Sequence, residues 1–322
     1  MLARVLAWRP TEAVLRRTFL AALVMNTVIV VTGGAVRLTA SGLGCPTFPR
    51  CTDQSLVVTR EMGAHGAIEF GNRLLTFVLS AAVAAALLSA WRAGRRDLLR
   101  PAGLLFLGIA VQAALGGVTV LTGLNPVTVM AHFLVSMGLI AVAVLAYERA
   151  VGRIARATSV RREVAVGAAA LTAAVATTLV LGTVVTGTGP HSGDRNASHR
   201  LPFDLEAVTQ LHADGVFLVI GLTLGLLVAV RASDAPGPLP RRVAVLLGVV
   251  LAQGLVGYVQ YVTDLPVALV AAHVLGACLV WIATLRVLLA AAPARRSASP
   301  GQDVSARDAA GSRPAPVSAA AR

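Results

Sequence analysis

QAALGGVTVLTGLNPVTVMAH at residues 112–132 and QGLVGYVQYVTDLPVALVAAH at residues 253–273 are the two stretches that decide the fold. At an offset of 141, Gln112 falls on Gln253, Gly116 on Gly257, Thr122 on Thr263, Leu124 on Leu265 and His132 on His273. Each stretch begins inside one long apolar run and ends inside the next. The preceding runs align too: Glu69, Phe70, Gly71 and Asn72 fall on Thr209, Gln210, Leu211 and His212. The first and fifth runs match more weakly. The chain therefore reads as one unit of four helices written twice. Because each unit has an even number of spans, the two keep the same orientation, which makes a parallel repeat about an axis along the membrane normal. The expected architecture is two four-helix bundles side by side.

The composition agrees. Of 322 residues, 56% are apolar, 13% charged and 4% aromatic. A soluble domain carries about a quarter charged residues. The hydrophobicity excludes disorder for most of the chain, and three cysteines are too few for a disulfide scaffold. The apolar runs are continuous rather than alternating, which argues against a β-barrel. What remains is an all-α polytopic membrane protein. Eight runs are long enough to span, at about 18–37, 68–90, 101–122, 127–147, 164–187, 207–230, 241–262 and 267–291. The first is no signal peptide: it is long, and it ends in Gly33, Gly34, Ala35, Val36 and Arg37 rather than at a small-residue cleavage site.

The net charge is +13 and every basic residue is Arg. Twenty-two of the 28 lie in the N-terminus, the even-numbered loops, and the end of the last span with the tail; six, Arg37, Arg50, Arg60, Arg73, Arg195 and Arg200, lie on the other side. The positive-inside rule then puts both termini in the cytoplasm. That placement also accounts for the basic charge without nucleic acid. The division is 1–150 for the first half, 151–292 for the second, and 293–322 for an Ala/Pro/Ser/Arg-rich cytoplasmic tail expected to be disordered.

Polar side chains inside spans are expensive, so each is a site candidate. All six His fall on the outer side. His212 and His273 lie at similar depth on the second and fourth helices of one bundle. Two imidazoles facing each other there can take both axial positions of a haem iron; hydrogen bonding to neighbouring helices is the competing reading. In the first half His132 matches His273, but Asn72 stands where His212 predicts a His. His65, two turns earlier, is a substitute ligand or a loop residue. Glu69 shares a helix face with Asn72. It is either a general acid/base or cation stabiliser, or a helix-start charge pair with Arg73. Gln112 and Gln253 suit interhelical hydrogen bonds, and Gly221 with Gly225 suits close helix packing. Arg37, Arg73 and Arg200 are candidates for haem propionates or lipid phosphate. Cys45 and Cys51, six apart on the oxidising face, read as a disulfide closing a small loop, with a redox role open. Cys278, inside the last span, reads as packing.

Together these residues resemble one family. Its marks are residues 33–46, GGAVRLTASGLGCP, with Cys51 after them; Glu69-Phe-Gly-Asn-Arg73, which is similar to the family's Glu-x-x-His-Arg; residues 112–124 with His132; and His212 and His273. The family is haem A synthase, and the resemblance covers roughly residues 15–291. It implies eight spans in two similar halves, and a haem b cofactor between His212 and His273. It implies haem O as substrate in the first half, with His132 as ligand, and oxidation of a haem O methyl to a formyl through successive hydroxylations. Glu69 matches the family's essential carboxylate, and Cys45 and Cys51 match its disulfide pair. The implied setting is a bacterial cell membrane, with the haem sites towards the outer face. The implied partners are membrane lipid, a haem O synthase, and an electron donor and acceptor. Asn72 departs from the pattern and puts bis-His ligation of the substrate in question. Two other readings compete: a b-type cytochrome that only passes electrons from quinol, and a transporter with parallel repeats.

Overall fold

A computed structural model describes residues 9–152, 160–195, 199–233, 235 and 237–292. The tail expected to be disordered, from 293 onward, lies outside the described residues. Among the described residues there is no strand, and eight helices are long and apolar enough to cross a membrane. They are α1 (Glu12–Leu38), α2 (Gly63–Arg92), α3 (Arg96–Leu121), α4 (Pro126–Ala150), α5 (Arg162–Thr188), α6 (Leu205–Ala232), α7 (Leu239–Val262) and α8 (Val267–Ala291). One 3-10 turn, Arg60–Met62, leads into α2.

Most helices outrun the apolar stretches by a few residues, because a charged residue ends burial in lipid but does not end a helix. Three of them start at side-chain caps. Thr11, Asn125 and Asp204 accept backbone N–H bonds from Val14, Val127 and Ala207. The α3–α4 and α7–α8 turns are alike. Gly123 and Leu124 in one, and Asp264 and Leu265 in the other, have φ near +60°. The Leu124 N–H returns to Thr119 O at 2.9 Å and the Leu265 N–H to Gln260 O at 2.8 Å.

Neighbours in the chain pack in a closed ring, α1–α2–α3–α4 and back to α1, and likewise α5–α6–α7–α8 and back to α5. The backbones of diagonal helices, α2 with α4 and α6 with α8, stand apart, so these pairs meet only through side chains. The two rings meet where α8 contacts α1 and α4, and α4 contacts α5. The buried apolar residues form two clusters, one drawn from α1–α4 with Cys278 and Leu285 of α8, the other from α5–α8. Cys278 is fully buried, as packing requires.

At the end of the bundle opposite the His residues, Glu148 of α4 is fully buried. Its Oε2 accepts from Arg242 Nη2 of α7 at 2.7 Å and its Oε1 from Arg286 Nε of α8 at 2.8 Å. One expectation fails. Gly221 and Gly225 do not pack against a helix: a Cβ at either would meet nothing within 4 Å. They sit on the exposed face of α6 and, with Gly167 and Glu163 of α5, line a groove between those helices. The glycine that α6 does use for close approach is Gly215, which meets Thr178 of α5.

Candidate functional site

His132 lies six residues into α4, His273 six into α8, His212 seven into α6 and Asn72 nine into α2. At 1.5 Å per residue, all four sit about 9–14 Å from their helix starts. Each side chain faces a glycine of the preceding helix. A Cβ on Gly182 would lie 3.1 Å from His212 Cε1, on Gly257 3.1 Å from His273 Cε1, on Gly116 3.4 Å from His132 Cε1, and on Gly33 3.9 Å from Asn72 Nδ2. At Gly182 and Gly257 a Cβ would crowd the ring, whereas at Gly116 and Gly33 it would make ordinary contact. In both halves a glutamine fixes the fourth helix. Gln112 Nε2 donates to His132 O at 3.0 Å, and also to Ser136 Oγ; Gln253 Nε2 donates to His273 O at 2.9 Å. These are the interhelical bonds expected of the two glutamines.

The His212 and His273 rings face each other across the α6–α8 diagonal with centroids 6.4 Å apart and planes at 64°. An imidazole nitrogen bonds a metal at about 2.0 Å and sits about 1.1 Å from its ring centre, so two imidazoles on opposite sides of one metal ion would hold their centroids roughly 6.2 Å apart. The observed spacing fits that requirement. His212 Nδ1 donates to Thr178 O at 3.1 Å. That bond selects the tautomer with a lone pair on Nε2, the form that ligates metals. His132 and His273 bury Nδ1 without a partner among the described residues.

The first pocket differs on its α2 side. Thr32 of α1 donates to Asn72 Oδ1 at 2.8 Å. His65 is not brought to Asn72. It stands two turns nearer the helix start, and its Nδ1 is hydrogen-bonded with Ser41 Oγ at 2.9 Å.

Glu69 is buried, and both its oxygens are engaged. Oε2 accepts from the Cys45 backbone N–H at 2.6 Å, and Oε1 from Arg73 Nη2 at 2.6 Å. Arg73 in turn donates to the carbonyls of Cys45, Thr47 and Arg50. The expected charge pair is present, but it is buried and serves as the anchor of the loop after α1. Cys45 and Cys51 are disulfide-bonded in that loop. Phe48, at its tip, lies under the Arg73 guanidinium, 5.8 Å from ring centre to Cζ, and against Gly117 of α3, where a Cβ has no room. The loop thus ties α2 to α3 at one end of the first bundle.

The other two arginines also serve backbone carbonyls. Arg37 Nε donates to His191 O at 2.6 Å and Nη2 to Thr186 O at 2.8 Å, tying α1 to the second half. Arg200 donates to the carbonyls of Gly189, Pro190 and His199. Sequence reasoning missed Thr32, Phe48 and Glu148, and it aligned Gly116 with Gly257 without seeing that both back a histidine. Their only signal was position: Gly116 and Gly257 recur at the 141 offset, whereas Thr32 and Phe48 carry no such mark.

Among the described residues no cluster of three or more His, Cys, Asp or Glu forms a metal site. The paired rings of α6 and α8 suit a metal that brings its own equatorial ligands. A profile for the family described as cytochrome oxidase assembly protein matches residues 16–191. The match ends before α6, so His212 and His273 lie beyond it. A search of curated proteins found no match to the chain.

Proposed function

The chain belongs to the cytochrome oxidase assembly family COX15-CtaA, matched over residues 16–191, and from that premise we propose that it is a haem A synthase, an enzyme that oxidises a methyl group of haem O to a formyl. The observation that carries the reading is the pair His212 and His273, with ring centres 6.4 Å apart. We assign them a resident haem b. Such a group supplies one-electron transfer when bound.

The rest is the work of this chain's own residues. His132, on the matching diagonal of the first bundle, holds the substrate haem O. Gly116 gives its ring room, and Gln112 fixes its backbone. A carboxylate has about four lone-pair sites, and the Cys45 N–H and Arg73 use two of Glu69's, leaving acceptors for a proton of the reacting substrate. The Cys45–Cys51 loop, held by Glu69 and Arg73, keeps water from the first pocket. The two halves are read as a parallel repeat with both termini cytoplasmic and both haem sites towards the outer face of a cell membrane. The like turns and the like Gln–His bonds support the repeat, and the arginine distribution supports the orientation.

The test is a product assay. The chain is expressed in a host that makes haem O but no haem A, and the extracted haems are separated by chromatography. Haem A or its hydroxylated intermediate is expected. Haem O left untouched by a well-expressed protein that holds haem b would instead make it an electron carrier.

A further inference from the structure

The α2 side of the first pocket differs from its counterpart in the second. Asn72 stands where His212 stands, on the second helix of its bundle and against a glycine of the first. The two are tethered differently. His212 is held through Nδ1, which leaves Nε2 for a metal. Asn72 is held through its carbonyl oxygen: the Thr32 hydroxyl, whose one hydrogen also has Val28 O at 3.1 Å and Ile29 O at 3.2 Å within reach, donates to Oδ1 at 2.8 Å, the shortest of the three. What remains is Nδ2, which has no hydrogen-bond partner among the described residues. An amide nitrogen is a donor of two hydrogens and offers no lone pair. It is also one bond nearer the backbone than an imidazole Nε2. His65 does not make up the loss. It is anchored to Ser41, seven residues and about 10.5 Å along the helix from Asn72.

We propose that Asn72, tethered by Thr32, is a hydrogen-bond donor and not an iron ligand, so that the first pocket holds its haem by His132 alone and admits a small ligand on the α2 side. The inference rests on the first bundle being the substrate haem site. Carbon monoxide is the probe: it binds reduced haem iron only where a coordination position is free, and a donor beside it lowers its stretching frequency. Haem chemistry turns on such distal donors and on steric access.

The experiment uses the full chain, purified with its haems from a host that makes haem O. Haem is counted per chain, the protein is reduced with dithionite, and carbon monoxide is added. Two haems per chain are expected, one giving a carbon monoxide difference spectrum while the low-spin His212–His273 centre is unchanged. Asn72→His is expected to abolish the carbon monoxide response and to add a second low-spin centre. Asn72→Leu is expected to keep the response and to move the bound C–O stretch to higher frequency, which a merely structural asparagine would not do. Two haems with no response in the unsubstituted protein overturn this inference and leave the proposed function standing. A single haem, lost in His212→Ala, overturns the substrate-site reading and this inference with it. An unmoved C–O stretch in Asn72→Leu overturns the donor role.

Discussion

Gly182→Ala is the smallest change that should disturb the paired histidines without touching them. The new Cβ would lie 3.1 Å from His212 Cε1, 3.5 Å from Nδ1 and 3.9 Å from Nε2. Carbon atoms pack at no less than about 3.5 Å, so the ring must retreat by about 0.4 Å. His212 Nδ1 now donates to Thr178 O, on the same helix as Gly182, at 3.1 Å. The same retreat stretches that bond to about 3.5 Å, beyond useful hydrogen-bond geometry. Losing it costs about 0.5–1.5 kcal/mol, and overpacking a tight site costs about 1–3 kcal/mol. Part of this is offset because alanine is better than glycine in a helix by about 0.5–1 kcal/mol. A net loss of about 0.5–4 kcal/mol corresponds to haem retention weakened roughly 2- to 900-fold. The assay is the low-spin b-type absorbance per protein, followed during dilution into apomyoglobin as a haem acceptor. Gly257→Ala, with its Cβ at 3.1 Å from His273 Cε1, should behave alike. Gly221→Ala is the control, since its Cβ meets nothing within 4 Å. Equal haem retention in all three variants would refute the assignment of His212 and His273 as ligands held at this spacing.

The other predictions concern single side chains. His212→Ala or His273→Ala should each abolish the low-spin b-type spectrum, because one imidazole cannot fill two axial positions; a preserved spectrum would remove the cofactor from α6 and α8. Glu69→Gln should leave the protein folded but stop formyl production, with the loop loosened by about 1.5–3 kcal/mol from the lost charge-assisted bond to Arg73. Haem A at the unsubstituted rate would reduce Glu69 to a loop anchor. Glu148→Ala strips Arg242 and Arg286 of their shared buried partner and should destabilise the contact between the halves by about 3–5 kcal/mol; an unchanged melting temperature in detergent would contradict it. Reducing the Cys45–Cys51 bond should cost the folded state about 2 kcal/mol, the chain entropy of so short a loop, seen as a lower melting temperature with dithiothreitol.

The eight helices, their order and their approximate ends were legible in the sequence. In lipid every backbone group must be bonded within its own segment, so an apolar run of the right length has one structure open to it. The ends drifted by a few residues because the edge of the apolar run does not bound a helix; the first and sixth, for example, begin at the N-caps Thr11 and Asp204. The histidines were legible as well, since an ionisable group in a span stands out against a background of Ala, Leu and Val. Their depth followed from counting along a rigid helix.

Contacts across the bundle were not legible. Gly221 and Gly225 have the spacing of a packing motif, yet they face outward, while Gly182 and Gly257, in no motif, receive the two histidine rings. Spacing along one helix says which residues share a face; it does not say which face a neighbour covers. Glu69 and Arg73 were visible as a pair four residues apart, but only the folded loop brings the Cys45 N–H to one and three carbonyls to the other. The replacement of histidine by Asn72 could be read from the sequence. Which atom of that amide is left free was decided by Thr32, 40 residues away on another helix. The sequence by itself determined the spans and the candidate ligands, because these follow from local hydrophobicity and helical pitch. The distance between His212 and His273, the anchoring of Glu69 and the tether on Asn72 belong to the tertiary structure alone, because each is set by how two helices distant in the chain come to lie against each other.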